Sequence, residues 1–196
     1  MKRYLMFLPL AAVLAACAHT EDPDDGAAEP DLATPTTLAG VDNFAKVTDG
    51  VWRGGQPSAE GMRTLKSMGV KTIVNLRAIS SDRTELRGTE LNYVHIRTSA
   101  AFLSDDEVAK ALRIATDSAH RPVFIHCEHG ADRTGAVIAA YRMVVQGWDS
   151  RKARREVGRF GFHKVWQNLD FYLDRFDAEK VRTLMGRVEV EVEYVP

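Results

Sequence analysis

From Phe44 onward, short apolar runs rich in β-branched residues alternate with longer segments whose apolar residues recur three and four positions apart. Nothing else in the chain constrains its fold as much, because strands separated by helix-length crossovers pair in parallel and need helices on their faces. The strand-like runs are residues 44–47, 51–53, 72–76, 93–96 and 122–126. Thr48-Asp49-Gly50 joins the first two, and Asp-Gly between apolar runs predicts a β-hairpin. Ser58 should cap a helix that runs to Met68 and stops at Gly69, with Leu65 and Met68 toward the core. Ser104-x-x-Glu107 forms a capping box for a helix reaching about Ala119, with Val108, Leu112 and Ala115 on one face. Residues 134–146 are apolar on nearly all sides, as in a central buried helix, and Val165, Leu169, Tyr172 and Phe176 recur at helical spacing. The polar residues 78–90 read as irregular, and residues 188–195 alternate Val with Glu like an edge strand. The expectation is a single α/β domain with a mainly parallel central sheet flanked by helices.

The first forty residues follow a different logic. Lys2 and Arg3 precede residues 4–16, an uncharged stretch shorter than the ~20 residues of a membrane-spanning helix. A positive start and a short apolar run make a secretory signal. It ends in Leu14-Ala15-Ala16-Cys17, which resembles the lipobox of bacterial lipoproteins, cut before the Cys and lipidated on it. The plainer alternative is an ordinary signal peptide with an incidental Cys. On the lipobox reading residues 1–16 are removed and Cys17 carries lipid on the outer side of a bacterial membrane. Ala18, rather than Asp, favours the outer membrane in a Gram-negative cell. Residues 18–40 hold six acidic residues, three Pro and no Lys or Arg, a composition that cannot bury enough surface to fold. We therefore expect a tether over residues 17–40 and the folded domain over residues 41–196.

Charge and cysteine count narrow the function. The chain has 26 Lys+Arg, 27 Asp+Glu and a net charge of −1, which argues against a nucleic-acid partner. With Lys2, Arg3 and the six tether acids set aside, 24 basic and 21 acidic residues leave the domain at +3. A hydrophobic content of 45% with 27% charged residues excludes wholesale disorder and a polytopic membrane protein. Two cysteines, Cys17 and Cys127, cannot build a disulfide framework.

Chemistry concentrates where the last central strand meets the buried helix, in His126-Cys127-Glu128-His129-Gly130-Ala131-Asp132-Arg133-Thr134-Gly135. A tight loop between strand and helix turns successive backbone N–H groups inward and adds the positive end of the helix, so the expected fold holds a phosphate-binding loop here. The same N–H groups stabilise a Cys127 thiolate, lowering its pKa and making it a nucleophile near neutral pH. Arg133 can hold two phosphate oxygens in its planar fork. The Thr134 hydroxyl can donate to the sulfur, and His126 should point into the core and bond the loop backbone. A zinc site from His126, Cys127 and His129 fails on ligand count, since adjacent strand residues face opposite ways and Cys17 is taken by lipid.

H-C-x5-R-T-G resembles the signature of the cysteine-dependent protein tyrosine phosphatase superfamily. Trp52-Arg53-Gly54-Gly55-Gln56-Pro57 and Lys71-Thr72-Ile73-Val74-Asn75-Leu76-Arg77 are similar to its compact bacterial dual-specificity-like branch, over roughly residues 44–177. The resemblance implies a phosphate monoester hydrolase in which Cys127 forms a phosphocysteine and Glu128, His129, Gly130, Ala131, Asp132, Arg133 and Thr134 cradle the phosphate. It implies no metal or other cofactor. It also requires a carboxylic acid that protonates the leaving oxygen and later activates water. That acid is expected near the loop at residues 97–104, which puts forward Asp106 and then Asp105, although both fall in a first helical turn where the macrodipole favours acids anyway. Asp132, beside Arg133, is the rival, acting on the leaving group or orienting Arg133. Arg77 and Arg97 follow strands at their C-terminal ends, where either a substrate anion or plain solvent is the expected neighbour. Arg151-Lys152-Ala153-Arg154-Arg155 reads as a charged helix face. The expected partners are a phosphorylated substrate (a phosphotyrosine protein or a small monoester) and a membrane through the lipid, with the chain acting as a monomer. The non-enzymatic alternative is a phosphate-binding scaffold lipoprotein.

Overall fold

Short β-branched runs bounded by turn residues become strands, and the capped amphipathic segments between them become helices. In the computed structural model, which describes residues 31–196, the order is β1 (Thr36–Leu38), β2 (Val41–Thr48), β3 (Val51–Gly54), α1 (Ala59–Ser67), β4 (Thr72–Asn75), α2 (Arg83–Leu86), β5 (Asn92–His95), α3 (Asp105–Thr116), β6 (Val123–His126), α4 (Asp132–Gln146), α5 (Ser150–Arg159), α6 (Gln167–Asp174), α7 (Ala178–Met185) and β7 (Glu193–Tyr194). The strands form one sheet in the order β1-β2-β3-β6-β4-β5-β7. Its middle, β3-β6-β4-β5, is parallel throughout, and antiparallel pairs flank it on both sides.

Adjacent strand residues face opposite sides, so each central strand feeds two cores. Val51, Val74, Val94 and Ile125 join the core beneath α3 and α4, whereas Trp52, Ile73, Tyr93 and Phe124 join Met62 and Leu65 of α1 on the other face. Burial on both faces explains why these strands read as continuous apolar runs rather than alternating ones. Helix α4 is buried along Thr134–Val144 because the sheet lies on one side of it and α5, α6 and α7 on others. The Ser58 cap and the Ser104/Glu107 capping box both form.

The tether expectation is corrected at its C-terminal end. The signal segment, Cys17 and residues 18–30 lie outside the described residues, but residues 31–40 are part of the fold. Leu32 and Ala33 are buried, β1 pairs with β2, and the Ala33 N–H donates to Glu156 Oε2 at 2.8 Å. Composition misjudged this stretch because a sheet edge and a buried carboxylate supply partners that few apolar side chains are needed to reach. Met68 is also corrected: as the C-cap residue of α1 it is exposed, whereas Leu65 is the buried residue of the last turn. The polar stretch 78–90 contains the short helix α2, and the Val/Glu tail contributes only the two residues of β7, paired with β5. Trp148 and Trp166 pack against the larger core.

Candidate active site

The strand-to-loop-to-helix junction lies at the C-terminal edge of the parallel strands. Strand β6 ends at His126, residues 127–131 form the loop, and α4 begins at Asp132. The N-cap of α4 is Ala131, which offers no side-chain acceptor, so the first-turn N–H groups are left without the cap that would normally occupy them. An anion is the natural partner for such an end.

The loop is shaped from behind by the β2–β3 hairpin and the residues that follow it. The carbonyl of Glu128 accepts from the Gln56 N–H at 3.0 Å, that of His129 from Asn43 Nδ2 at 3.2 Å, and that of Gly130 from Arg53 Nη2 at 2.6 Å. The Cys127 carbonyl accepts from His126 Nδ1 at 3.0 Å. In a trans peptide the C=O of one residue and the N–H of the next point in opposite directions. Four carbonyls held toward the hairpin and the core therefore turn the N–H groups of residues 128–131 the other way, into the hollow of the loop. Arg53 and Gln56, two of these donors, give the Trp52–Pro57 motif its physical content. Gly130 makes the close approach possible: it sits at φ +70°, and a Cβ there would fall 2.4 Å from the Gly54 carbonyl carbon.

Cys127 is free and buried at the base of the loop. Thr134 Oγ1 is buried with no hydrogen-bond partner among the described residues, as expected of a hydroxyl reserved for the sulfur or for a bound oxyanion. Arg133 Nη1 lies 3.3 Å from the Leu76 carbonyl and 3.4 Å from that of Thr98, so the loops after β4 and β5 hold its guanidinium. Arg53 is fully buried behind the loop with its guanidinium 3.5 Å from the Phe160 ring centre. Burial pushes its pKa down to about 10, opposed by attraction to Glu156 and the Cys127 sulfur and reinforced by Arg142.

A buried polar network backs His126. Its Nε2 bonds Asp82 Oδ2 at 2.9 Å, and Asp82 also pairs with Arg77 Nη2. The Cys127 carbonyl can only accept, so Nδ1 is the donor there, and Nε2 faces the Asp82 carboxylate. Asn75 completes the set, accepting from Arg77 Nε at 3.2 Å and donating to Tyr93 Oη at 3.0 Å. Arg77 thus faces Asp82, with its Nη1 3.8 Å from Glu128, whereas Arg97 donates to the Ala78 carbonyl at 3.4 Å.

The carboxylates proposed as acids sit in three different settings. Asp105 accepts from Tyr172 Oη at 2.9 Å and lies 2.7 Å from Lys180 Nζ, partners on α6 and α7. Burial, seconded by Asp105, keeps the Tyr172 hydroxyl protonated far above its usual range. Asp106 is exposed in the first turn of α3 and feels the same Lys180 charge. Asp132 is buried, and its carboxylate receives the His163 N–H at 2.8 Å and His163 Nδ1 at 2.9 Å. Sequence reasoning missed His163, Asp82 and Asn43 altogether. Arg53 carried a signal through its motif, but the others come from segments remote in the chain and nothing in their local sequence marks them.

The comparisons bear on this site directly. The family model PTP-NADK, described as a DSP-PTPase phosphatase fused to NAD+ kinase, matches residues 38–167. The dual specificity protein phosphatase TpbA of Pseudomonas aeruginosa is 31% identical over 188 residues, covering 93% of this chain and 85% of that protein. An inositol diphosphatase of Oryza sativa is 29% identical over 164 residues, covering 80% of each chain. A crystal structure of P. aeruginosa TpbA in complex with pTyr superposes with a TM-score of 0.72 at 29% identity, covering 82% of this chain and 99% of that one.

Proposed function

The chain belongs to the DSP-PTPase phosphatase family and is a cysteine-dependent phosphatase, and from that premise we propose that it works from the outer side of a bacterial membrane, lipid-anchored through Cys17, and cleaves phosphate monoesters on Cys127. The observation that carries the assignment of the nucleophile is the set of loop carbonyls tied back to Gln56, Asn43, Arg53 and His126, which leaves four N–H groups facing the hollow above Cys127. The thiolate attacks phosphorus, the loop N–H groups and Arg133 hold the equatorial oxygens, and the transition-state charge is met by donors already in place. Water then hydrolyses the phosphocysteine while Thr134 donates to the departing sulfur.

A phosphotyrosine-bearing protein or another small monoester is the substrate class we favour. TpbA binds pTyr in its crystal structure, and Glu128, half-exposed in the loop, disfavours substrates with many phosphates. The anchoring rests on the sequence Leu14-Ala15-Ala16-Cys17 and the acidic residues that follow. Thirteen residues separate Cys17 from Asp31, a reach of at most ~45 Å fully extended. The full-length chain, solubilised in detergent, should hydrolyse an aryl phosphate in the presence of EDTA and be blocked by vanadate. Cys127→Ser should abolish this. Retention of activity in that variant would reject Cys127 as the nucleophile. Labelled fatty acid should enter the protein in bacteria and be lost in Cys17→Ser; labelling that persists would reject the anchor.

A further inference from the structure

The cleavage needs a proton donor at the leaving oxygen, and the segment between β5 and α3, residues 96–104, contains no carboxylate at all. Asp105 is committed to Tyr172 and Lys180, and Asp106 sits exposed beside it on the same helical turn. At the phosphate loop itself a different arrangement has formed. Asp132, buried on the first turn of α4 and adjacent to Arg133, accepts from both the backbone N–H and Nδ1 of His163. The His163 side chain is 52% exposed, its ring stands edge-on to that of the loop residue His129 at 5.7 Å, and its Nε2 bonds nothing among the described residues. An imidazole fixed through Nδ1 by a buried carboxylate, with Nε2 exposed beside the phosphate loop, is an acid–base pair in the chemical sense.

We propose that His163, oriented by Asp132, is the proton donor to the leaving oxygen and the proton acceptor in the second step. The proposal rests on the phosphocysteine reading above. As the Cys127 sulfur forms its bond to phosphorus, the P–O bond breaks, its electron pair stays on the leaving oxygen, and that oxygen takes the proton from His163 Nε2. The neutral Nε2 then removes a proton from water as the water oxygen bonds phosphorus, and the S–P electron pair returns to Cys127. Asp132 stabilises the imidazolium between these events and makes Nδ1 the fixed donor. The charged or titratable groups in contact with the ring are Asp132 from α4 and His129 from the loop, with Lys164 next in sequence. Asp132 becomes a positioning residue on this account, which is why a carboxylate inside the loop need not itself meet the substrate.

The test compares para-nitrophenyl phosphate with phenyl phosphate, substrates of nearly one shape whose leaving groups differ in basicity. His163→Asn retains an N–H where Nδ1 bonds Asp132 but has nothing at the Nε2 position. Its kcat/KM for phenyl phosphate should fall on the order of 100-fold or more, and for para-nitrophenyl phosphate by less than about tenfold, the pattern of a lost general acid. With the second step also slowed, para-nitrophenol should appear as a burst. Equal losses on both substrates, or a leaving-group-selective loss in Asp106→Asn instead, would overturn the assignment to His163 while leaving Cys127 in place. Activity that survives in Cys127→Ser would overturn the phosphocysteine reading and this one with it. A melting temperature of His163→Asn matching wild type separates the catalytic loss from a folding defect, and His163→Gln, which lacks the Nδ1 mimic, should be the less stable of the two.

Discussion

Asp82→Asn tests whether the network behind the phosphate loop stabilises the fold as its geometry demands. Asp82 is fully buried, pairs with Arg77 at 5% side-chain exposure, and bonds the fully buried His126. Asparagine keeps the shape and removes the charge. Its carbonyl can still accept from Arg77, and its amide can donate to His126 Nε2. His126 keeps its Nδ1 bond to the Cys127 carbonyl in that arrangement, so the loop retains its shape. The cost falls on Arg77, left buried with only the half-exposed Glu128, 3.8 Å away, as a counter-charge. Removing one partner of a buried ion pair destabilises by ~3–5 kcal/mol, because the remaining charge stays desolvated without compensation. For a domain of this size each kcal/mol moves Tm by roughly 2–4 °C, so a fall of about 6–20 °C is expected. Thermal unfolding followed by circular dichroism reads it, with Asp82→Ala falling at least as far. A Tm within about 2 °C of wild type would refute the reasoning, since it would mean that water or a rearranged Arg77 already compensates the charge.

Other expectations follow from single residues. Gly130→Ala should keep the far-ultraviolet spectrum and lose turnover on the order of 100-fold, since an added Cβ meets the Gly54–Gly55 backbone and must displace the loop by about an ångström; normal kcat/KM would show that the close approach is not needed. Glu156→Gln leaves Arg142, which it holds at 2.6 Å, buried without its partner, and should cost ~3–5 kcal/mol and expose residues 31–38 to protease before the rest of the domain. Equal protease resistance would argue that these residues do not depend on Glu156. Burial lowers the His95 pKa below 6.5, against a bond to the Arg77 carbonyl, so the folded state binds that proton less readily than the unfolded chain. The associated stability is present above pH 6.5 and lost as pH falls through the lowered value. His95→Gln should flatten that acid-side loss in urea titrations, and an unchanged pH profile would remove His95 as its source.

Much of this architecture could be read from sequence because its signals are local. The Ser58 cap, the Ser104/Glu107 box, the Asp49-Gly50 turn and the apolar strands each act within a few residues, and each forms as expected. The tether boundary failed for the opposite reason. Ala33 is held by Glu156, more than a hundred residues away, and Thr36–Leu38 by the edge of β2, and no composition window sees these partners. The same division runs through the site. Cys127, Arg133 and the loop between them are contiguous, so a thiol placed before an anion-binding helix start could be read from that order of residues alone.

Only the tertiary structure decided what stands around the loop. It brought Arg53 and Asn43 to the back of the carbonyls, Asp82 and Arg77 to His126, and His163 to Asp132. A hydrogen bond or buried ion pair depends on angstrom-scale position, which distant segments acquire only when the sheet and the helices pack together. The strand-loop-helix junction by itself put Cys127 forward as a nucleophile with an anion as its partner; the packing of remote segments determined which groups hold that junction in shape and which nitrogen is exposed beside it.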